Sequence, residues 1–258
     1  MATGFFVTAE DRDAGIARIT LNRPEQLNVM PHAAREELAG EIERLGGERW
    51  MRVLVIGAAG ERAFSAGVDI PELGRLSPWD TARLATPMGA PERIPQPVVA
   101  AIDGHCYGGP FEMCLACDFR IVTSRASLGL PEVRLGQMPG SGGGQRLLRM
   151  VGMTRAKLMV MTGMRVDGRT AEAWGIASRC VEPDRLDAEV DRMAGELAGM
   201  APRALEAVKR SLTLGLDAPL ATAVEMEGKM YATLKTTADY QEGLAAWREK
   251  RSPKFRGE

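Results

Sequence analysis

The sequence predicts an α/β fold, with a mainly parallel sheet in the first half of the chain and a helical region in the second. Up to Gly142, short apolar runs typical of strands alternate with helical patterns. Such an order requires crossover connections and favours parallel pairing. From Gly142 onward nearly every segment has helical spacing. The 258 residues suffice for one sizeable core, so a second, unrelated domain is not required.

The first half contains four predicted strands and two predicted helices. The segment Ile16–Leu21 alternates apolar and polar residues, which is the pattern of a half-buried strand. The other strands are continuous apolar runs at residues 53–56, 98–102 and 119–122, with glycine-rich breaks at residues 57–60 and 104–109. The helices are predicted at residues 32–45 and 111–117.

The second half contains four predicted helices, at residues 184–199, 203–214, 220–234 and 239–250. The third of these has an apolar stripe that includes Leu220 and Val224. This stripe must either fold back on the core or pack on another subunit. Within the first half, residues 72–96 are rich in Pro and Gly and have few periodic apolar positions, which predicts a long functional loop or a mobile segment.

Composition excludes several classes of protein. The 33 basic and 34 acidic side chains are scattered and leave a net charge of −1, which argues against a general polyanion binder. Only two histidines, His32 and His105, are present, so a three-His metal site is impossible and proton transfer falls to carboxylates. Four cysteines are too few for a disulfide framework and fit a reducing compartment.

The sequence also predicts a cytoplasmic protein. Residues 1–7 are apolar but lack a basic stretch before them, and they run directly into charged residues. No apolar run approaches the roughly 20 residues that a membrane helix needs. We therefore expect neither an export signal nor a membrane segment.

Two glycine-centred turns follow apolar strands, at residues 63–69 and 104–112. A turn from a strand into a helix presents free backbone N–H groups, and the helix N-terminus adds a partial positive charge. Two such turns side by side can hold one developing oxyanion, although a single turn of this kind more often only connects two secondary-structure elements. Pro110 suits the first helical position, where its missing N–H costs nothing.

Two glutamates lie near these turns among apolar residues. Glu112 stands close to the predicted helix start, and its neighbours one turn on are Leu115 and Ala116. It is either a first-turn residue that bonds free N–H groups or a desolvated carboxylate suited to acid–base work. Glu132 follows Pro131, where a surface turn is the ordinary interpretation. Together they predict a paired-carboxylate site.

Other motifs are weaker. Cys114 and Cys117 have metal-like spacing but no second pair, so they are interpreted as core cysteines. The glycine-rich residues 140–144 lack the Lys-Ser/Thr of a phosphate-binding loop. Ser141 lacks the glycine that a nucleophile elbow needs two residues earlier, since Pro139 occupies that place.

Taken together, these motifs resemble the crotonase, or enoyl-CoA hydratase/isomerase, superfamily. The similarity covers nearly the whole chain, and the order and spacing of its parts make it specific. The matching segments are Leu21-Asn22-Arg23-Pro24, Leu27-Asn28, residues 63–69 and 104–118, Leu130-Pro131-Glu132 with Gly136, Pro139-Gly140, residues 143–147, and Ala171-Glu172-Ala173 with Gly175-Ile176-Ala177.

The resemblance implies a spiral of ββα turns over residues 1–200 and a C-terminal helical trimerisation region over residues 201–258. It implies homotrimers, often paired into hexamers, and an acyl-CoA thioester as substrate. The expected reaction is that of an enoyl-CoA hydratase, which adds water across a 2,3-double bond to give a 3-hydroxyacyl-CoA. No metal or redox cofactor is expected, because coenzyme A is part of the substrate.

The resemblance also implies a role for individual positions. The backbone N–H groups of Val68 and Gly109 would form the oxyanion hole. Glu112 would deprotonate water at Cβ, and Glu132 would deliver a proton to Cα. The implied substrate-binding residues are Arg62 near the CoA phosphates, Ala66, Asp69, Gly140 beside the water, and the basic Lys254.

Three departures from the family pattern bear on the substrate. Pro110 replaces a third glycine and restricts Gly109 towards extended backbone angles. Pro71 and Glu25 stand where hydratases often have basic residues, so phosphate binding is either weaker or supplied by Arg62 and Lys254. With the resemblance, residues 72–96 are expected to shape the acyl pocket.

Several other functions stay open. Two remain within the family: a Δ3,Δ2-enoyl-CoA isomerase and a hydratase of cyclic enoyl-CoAs. A third is a catalytically inactive scaffold whose oxyanion hole Pro110 has collapsed. A fourth is an RNA-binding relative, which the balanced charge argues against.

Overall fold

Two sheets form the centre of the fold in a computed structural model that describes residues 4–83 and 85–258. The strands are β1 (Phe6–Asp11), β2 (Ile16–Leu21), β3 (Val53–Ala58), β4 (Ala63–Ser65), β5 (Val98–Ile102), β6 (His105–Tyr107), β7 (Phe119–Thr123), β8 (Ser127–Gly129), β9 (Arg165–Asp167) and β10 (Arg179–Val181). The larger sheet has the order β1-β2-β3-β5-β7-β10, and the smaller has the order β4-β6-β8-β9. Every pairing in the larger sheet is parallel except β1 with β2.

The helices are α1 (His32–Gly46), α2 (Ile70–Leu73), α3 (Pro78–Arg83), α4 (Ala85–Met88), α5 (Ala90–Arg93), α6 (Gly109–Ala116), α7 (Gly143–Thr162), α8 (Gly168–Ala173), α9 (Leu186–Ala198), α10 (Pro202–Gly215), α11 (Leu220–Leu234) and α12 (Ala238–Glu249). A kink interrupts α7 at Gly152, whose φ is 77° and ψ is 169°. Within the described ranges, no helix is long and apolar enough to cross a membrane.

The order of elements makes a spiral. Each turn adds one strand to the larger sheet, the next strand to the smaller sheet, and then a helix: β3-β4-α2, then β5-β6-α6, then β7-β8 followed by α7. The α/β fold and the ββα spiral are thus as predicted. The division at residue 200 and the role of residues 201–258 in trimerisation stay predictions.

The central strands of the larger sheet are covered on both faces, so β3 and β5 are continuous apolar runs. On one face Val53 and Val55 of β3 pack with Val190 and Ala194 of α9. On the other face Leu54 and Ile56, the alternate residues of β3, belong to the main core with α1 and α6. The smaller sheet is therefore held against a rigid layer, which fixes where its strands end.

The structure corrects several predicted boundaries. Residues 72–96 are not one long loop but contain the end of α2 and three short helices, α3 to α5, with Leu84 outside the described residues. Residues 104–109 are not only a turn, because β6 lies within them. The prediction missed β1. The nearly all-helical second half also contains β9 and β10, and helix α6 begins at Gly109 rather than at residue 111.

The cysteines behave as predicted core residues. Cys106, Cys114 and Cys117 are buried, Cys180 is half-buried, and all four are free thiols. Burial raises the pKa of the Cys114 and Cys117 thiols well above the ordinary value, so both stay protonated at neutral pH.

The last three helices contact the core through few side chains, and one of these is Lys209 of α10. Its Nζ lies 2.8 Å from Asp118 Oδ2 and also donates to the carbonyl oxygens of Pro91 (2.7 Å) and Gln96 (2.9 Å). Helix α11 packs on α10 and leaves Leu220 and Val224 exposed. The buried ammonium therefore fixes the start of the C-terminal region, while the apolar stripe of α11 stays uncovered.

Replacing Lys209 with Met should destabilise the fold strongly. The change leaves the Asp118 carboxylate without its counter-charge, and burial already raises the pKa of that carboxyl. We expect the free energy of unfolding to fall by about 3 kcal/mol, near the low end for breaking a buried pair, because Asp118 keeps some solvent contact. Denaturant unfolding at one protein concentration measures the loss.

The matched control for Lys209 is Lys229→Met. Lys229 pairs with Glu225 on the exposed surface of α11, where an ion pair contributes less than about 0.5 kcal/mol. Equal losses in the two variants would contradict an anchoring role for Lys209.

Candidate active site

The candidate site lies where three neighbouring parallel strands end. Strands β4, β6 and β8 run side by side in the smaller sheet, so their carboxyl ends meet at one edge. Val68 follows β4, Gly109 and Glu112 follow β6, and Glu132 follows β8. The four positions predicted to be catalytic are thus brought to one edge of one sheet.

Val68 is held by a short backbone bridge to Met30. The N–H of Met30 donates to the Gly67 oxygen (2.9 Å), and the N–H of Asp69 donates to the Met30 oxygen (3.0 Å). Gly67 has φ of 125°, which an L side chain rarely adopts, and this turns the chain so that the Val68 N–H faces away from Met30. Among the described residues no acceptor bonds the Val68 N–H.

A buried Asn28 supports this loop from behind. Its side-chain nitrogen donates to the Ala59 and Ala63 carbonyls, each at 3.0 Å. The hydroxyl of Ser65 in turn donates to the Asn28 carbonyl at 2.6 Å. The Leu27-Asn28 pair of the family motif therefore positions the Val68 loop from a distance.

The second free N–H belongs to Gly109, the first residue of α6. Gly108 caps this helix with φ of 60° and ψ of −139°, so the chain reverses sharply into the helix. The first N–H groups of a helix have no intrahelical acceptor, and no other described residue accepts from Gly109. A β-carbon on Gly109 would lie 3.1 Å from Val68 Cγ1, so the two loops are in contact.

Pro110 does not displace this donor. It is the second residue of α6 rather than the first as predicted, and Gly109 before it is already helical. The N–H that Pro110 lacks is one of the four that would be free in any case. At its far end α6 is held by buried Arg120, which donates to the Cys114 (3.1 Å) and Cys117 (2.6 Å) carbonyls.

Glu112 is buried, with 3% of its surface exposed. Its Oε1 accepts from the backbone N–H groups of Ser141 (2.9 Å) and Gly143 (2.8 Å). Burial raises the pKa of Glu112, while those bonds, the Ser141 hydroxyl and the charge of Arg35 oppose part of the rise. The carboxylate is thus desolvated but held in one orientation.

The glycine-rich run before α7 is what surrounds this carboxylate. The sequence suggested phosphate-like N–H groups at residues 140–144, and the structure places a carboxylate of the same chain against them. A β-carbon on Gly143 would lie 2.4 Å from Glu112 Cγ, so only glycine fits there. The signal in the sequence was this run at a helix start, which provides anion-binding N–H groups.

Glu132 begins a 3₁₀ turn (Glu132–Leu135) after β8. A β-carbon on Gly108 would lie 3.4 Å from Glu132 Oε1, so the carboxyl lies against the oxyanion turn. Its Oε2 is buried and has no hydrogen-bond partner among the described residues. Burial, with a smaller contribution from the charge of Glu112, raises the pKa of Glu132 to about 7.

The predicted substrate-binding residues lie in different places. Ala66 and Asp69 flank the Val68 loop, where Asp69 caps α2 by accepting from the Glu72 N–H (3.1 Å). Arg62 is exposed just before β4, and Gly140 is exposed beside Ser141. Lys254 is exposed on the C-terminal tail, and its N–H donates to Glu242 of α12 (2.7 Å). No hydrogen bond or ion pair in the described part of the chain joins Lys254 to Glu112 or Glu132.

The described residues contain no cluster of three or more His, Cys, Asp or Glu side chains that could hold a metal ion. The arrangement instead offers two free N–H donors, the fixed carboxylate of Glu112, and the carboxyl of Glu132, whose pKa is about 7. Such a set can stabilise an oxyanion and move protons on either side of it.

Comparisons with known proteins identify the family and the fold. Residues 11–258 match the family described as enoyl-CoA hydratase/isomerase. The human mitochondrial enoyl-CoA hydratase domain-containing protein 2 is 36% identical over 253 residues, which cover 95% of this chain and 87% of that protein. An enoyl-CoA hydratase structure from Bacillus anthracis has a TM-score of 0.93 at 36% identity and covers 98% of this chain and 100% of that one. One from Mycobacterium smegmatis has a TM-score of 0.90 at 26% identity, covering 97% and 98%. With the fold, the site and these relatives in agreement, the chain belongs to the enoyl-CoA hydratase/isomerase family.

Proposed function

We propose that the protein is an enoyl-CoA hydratase that adds water across the 2,3-double bond of an enoyl-CoA thioester. One observation supports this above all: two carboxyl groups, Glu112 and Glu132, stand in different environments beside the same pair of free N–H groups. Hydration needs a base for water and an acid for carbon. Two carboxyls whose pKa values are set differently can supply both.

In the proposed reaction Glu112 acts as the base. It takes a proton from water while the water oxygen forms a bond to Cβ of the substrate. The electron pair of the double bond moves towards the thioester, which becomes an enolate with negative charge on its oxygen. The Ser141 and Gly143 N–H groups hold Glu112 Oε1, which leaves Oε2 to face the water.

The enolate oxygen would be stabilised by the Val68 and Gly109 N–H groups. The second donor lies at the N-terminus of α6, where the helix dipole adds to the stabilisation. In comparable sites one such donor is worth roughly 3–4 kcal/mol.

Glu132 would complete the reaction as the acid. With a pKa of about 7 it keeps its proton in much of the enzyme at neutral pH and can give it to Cα. The product is a 3-hydroxyacyl-CoA, and proton exchange with solvent resets both carboxyls. The balance involves no change of oxidation state, so we propose no redox cofactor and no metal.

A spectrophotometric assay with a panel of enoyl-CoA thioesters tests the proposal. Loss of the conjugated absorbance with formation of 3-hydroxyacyl-CoA is the expected result. Double-bond movement in a 3-enoyl-CoA without hydration would instead identify an isomerase. Hydration of cyclic substrates alone would identify a cyclic hydratase, and no turnover with any thioester would contradict catalysis.

Replacing Gly143 with Ala should disable the site without unfolding the protein. The new β-carbon would lie 2.4 Å from Glu112 Cγ and 2.9 Å from its Oε1, so the carboxylate must move. A displacement of about 1 Å in a catalytic group can cost 10²-fold, and we expect kcat/KM to fall by about that factor.

The neighbouring Gly144→Ala variant is the control for Gly143. A β-carbon there meets no described atom within 4 Å, and Ala favours the helix. Hydration should stay near wild type in this control. A similar loss in both variants would show that the glycine run matters for folding rather than for Glu112.

Three further properties belong to this proposal. The acyl-CoA thioester is the proposed partner, a cytoplasmic location is proposed, and residues 201–258 are proposed to assemble trimers or hexamers. The exposed apolar residues of α11 support the last of these, since large exposed apolar patches mark contact surfaces. Sedimentation analysis of the purified protein distinguishes monomer, trimer and hexamer.

A further inference from the structure

Arg35 is a buried cation without a partner. It lies on α1 with 4% of its surface exposed, and its Nε is sealed from solvent with no hydrogen-bond partner. In the described part of the chain no hydrogen bond joins it to another group, and no carboxylate oxygen lies within the 4.0 Å of an ion pair. The charges of Glu112 and Glu72 act on it, but neither carboxylate makes a direct ion pair with it, and a buried charge without such a pair is costly.

The other buried arginine shows what compensation looks like. Arg120 donates to the carbonyl oxygens of Ile176, Cys114 and Cys117, so its guanidinium is satisfied within the fold. Half-buried Arg146 likewise pairs with Glu92 at 2.7 Å. The Nε of Arg146 is buried without a partner like that of Arg35, but Arg35 differs in that its guanidinium makes no hydrogen bond or ion pair with any described residue.

The position of Arg35 is unusual already in the sequence. Residues 35, 38, 42 and 45 follow helical spacing, and Leu38, Ile42 and Leu45 form the apolar stripe of α1. Arginine at the first position of that stripe points inward with the apolar residues, where a charge is rarely buried unless it is paired.

A second unsatisfied nitrogen lies on the same face, one turn earlier. The Nδ1 of His32 is buried and has no hydrogen-bond partner in the described residues. Residues three apart on a helix are neighbours, so His32 and Arg35 present adjacent unused polar groups. Glu72 does not pair with either side chain, because its Oε2 accepts from the His32 backbone N–H at 2.7 Å.

Helix packing places these groups near the proposed site. Helix α1 begins directly after Met30, which is bonded to the Val68 loop, and it packs on α4 and α5. Those two helices also pack on α6, which bears Glu112. They belong to residues 72–96, the segment expected to shape the substrate pocket. The charge of Arg35 also acts on Glu112, which agrees with this placement.

We propose that Arg35 binds a carboxylate on the acyl group, so that the preferred substrate is the enoyl-CoA monothioester of a dicarboxylic acid. The proposal rests on the proposed hydratase function and names its substrate class. A guanidinium can donate two parallel hydrogen bonds to a carboxylate, and a substrate carboxylate would supply the direct ion pair that the described residues do not. The free His32 Nδ1 adds a second polar contact beside it.

Matched thioesters of equal chain length test this. Glutaconyl-CoA differs from trans-2-pentenoyl-CoA only in having a carboxylate in place of the terminal methyl group. Wild type should hydrate glutaconyl-CoA with at least tenfold higher kcat/KM, as expected from about 1.4 kcal/mol or more for a charge-assisted contact. Arg35→Met should remove this preference, so that the ratio of the two kcat/KM values falls to about one; the lost charge also acts on Glu112, and that effect is common to both thioesters. Arg35→Lys, which keeps the charge, should retain part of the preference.

Two other outcomes would overturn the proposal. Equal losses on both thioesters in Arg35→Met would mean that Arg35 only positions Glu112. A wild-type preference for pentenoyl-CoA would mean that the site does not bind the carboxylate of the substrate. The control variant is Arg75→Met, which changes an exposed arginine within residues 72–96. It should leave the ratio of the two kcat/KM values unchanged.

Binding measurements separate this proposal from the hydratase proposal. Calorimetry with the saturated analogues glutaryl-CoA and pentanoyl-CoA needs no turnover. Tighter binding of glutaryl-CoA by wild type, lost in Arg35→Met, would support the carboxylate site even if no thioester were hydrated. Equal binding of the two analogues would refute it even if hydration were found.

Discussion

Replacing Glu112 with Gln is expected to lower kcat for hydration by roughly 10³- to 10⁴-fold, the upper part of the range for one acid–base group. The amide has nearly the same shape, and its oxygen can still accept from the Ser141 and Gly143 N–H groups. The fold and the acyl-CoA site should therefore survive, while the base that activates water is lost. Steady-state kinetics combined with calorimetric binding of a saturated acyl-CoA measures both properties.

The control for this prediction is Glu225→Gln, which changes an exposed carboxylate that pairs with Lys229. It should leave kcat unchanged. Full hydration by Glu112→Gln would contradict the assignment of Glu112 as base. Loss of acyl-CoA binding together with activity would show instead that the variant had damaged the pocket.

Replacing Glu132 with Gln should remove both activity and one limb of the pH profile. The pKa of Glu132 is about 7, and the proposed mechanism needs its protonated form. In the wild type, kcat/KM should therefore fall about tenfold per pH unit as pH rises above 7, because the acid form is lost. On the acid side kcat/KM should fall as Glu112 becomes protonated, at a pH above that of an ordinary carboxyl because its pKa is raised.

In Glu132→Gln we expect a loss of roughly 10²- to 10⁴-fold and no break near pH 7. Glu132→Asp keeps a carboxyl, so it should retain partial activity and an alkaline limb. Rates for both variants across pH 5–9 with one enoyl-CoA measure this. An unchanged break near pH 7 in Glu132→Gln would assign that titration to another group.

The positions that we propose to be catalytic could be predicted because each lies in a recognisable local motif. Gly109 and Glu112 follow a strand and open a helix within a glycine-rich segment, and Val68 follows a similar turn. Their convergence could not be read locally, because it depends on β4, β6 and β8 being neighbours in one sheet. Strands of three residues are too short for a period-two pattern to reveal, so β6 was hidden within a predicted turn.

The short helices within residues 72–96 were missed for a different physical reason. Isolated helices of four to six residues are not stable in water, and nothing local to this segment predicts them. They form here because α4 and α5 are packed between α1 and α6. Tertiary contacts supply the stability that the local sequence lacks.

The sequence by itself determined the fold class and the family, and it predicted the two glutamates and the two glycine turns, because these depend on residue type and on spacing along the chain. Only the tertiary structure decided how each carboxyl differs from the other. Glu112 is held by N–H groups from the start of α7, whereas Glu132 Oε2 is enclosed without a partner. Desolvation and hydrogen bonding arise from groups far apart in the chain, so the protonation of each carboxyl, and the unpaired charge of Arg35, exist only once the chain has folded.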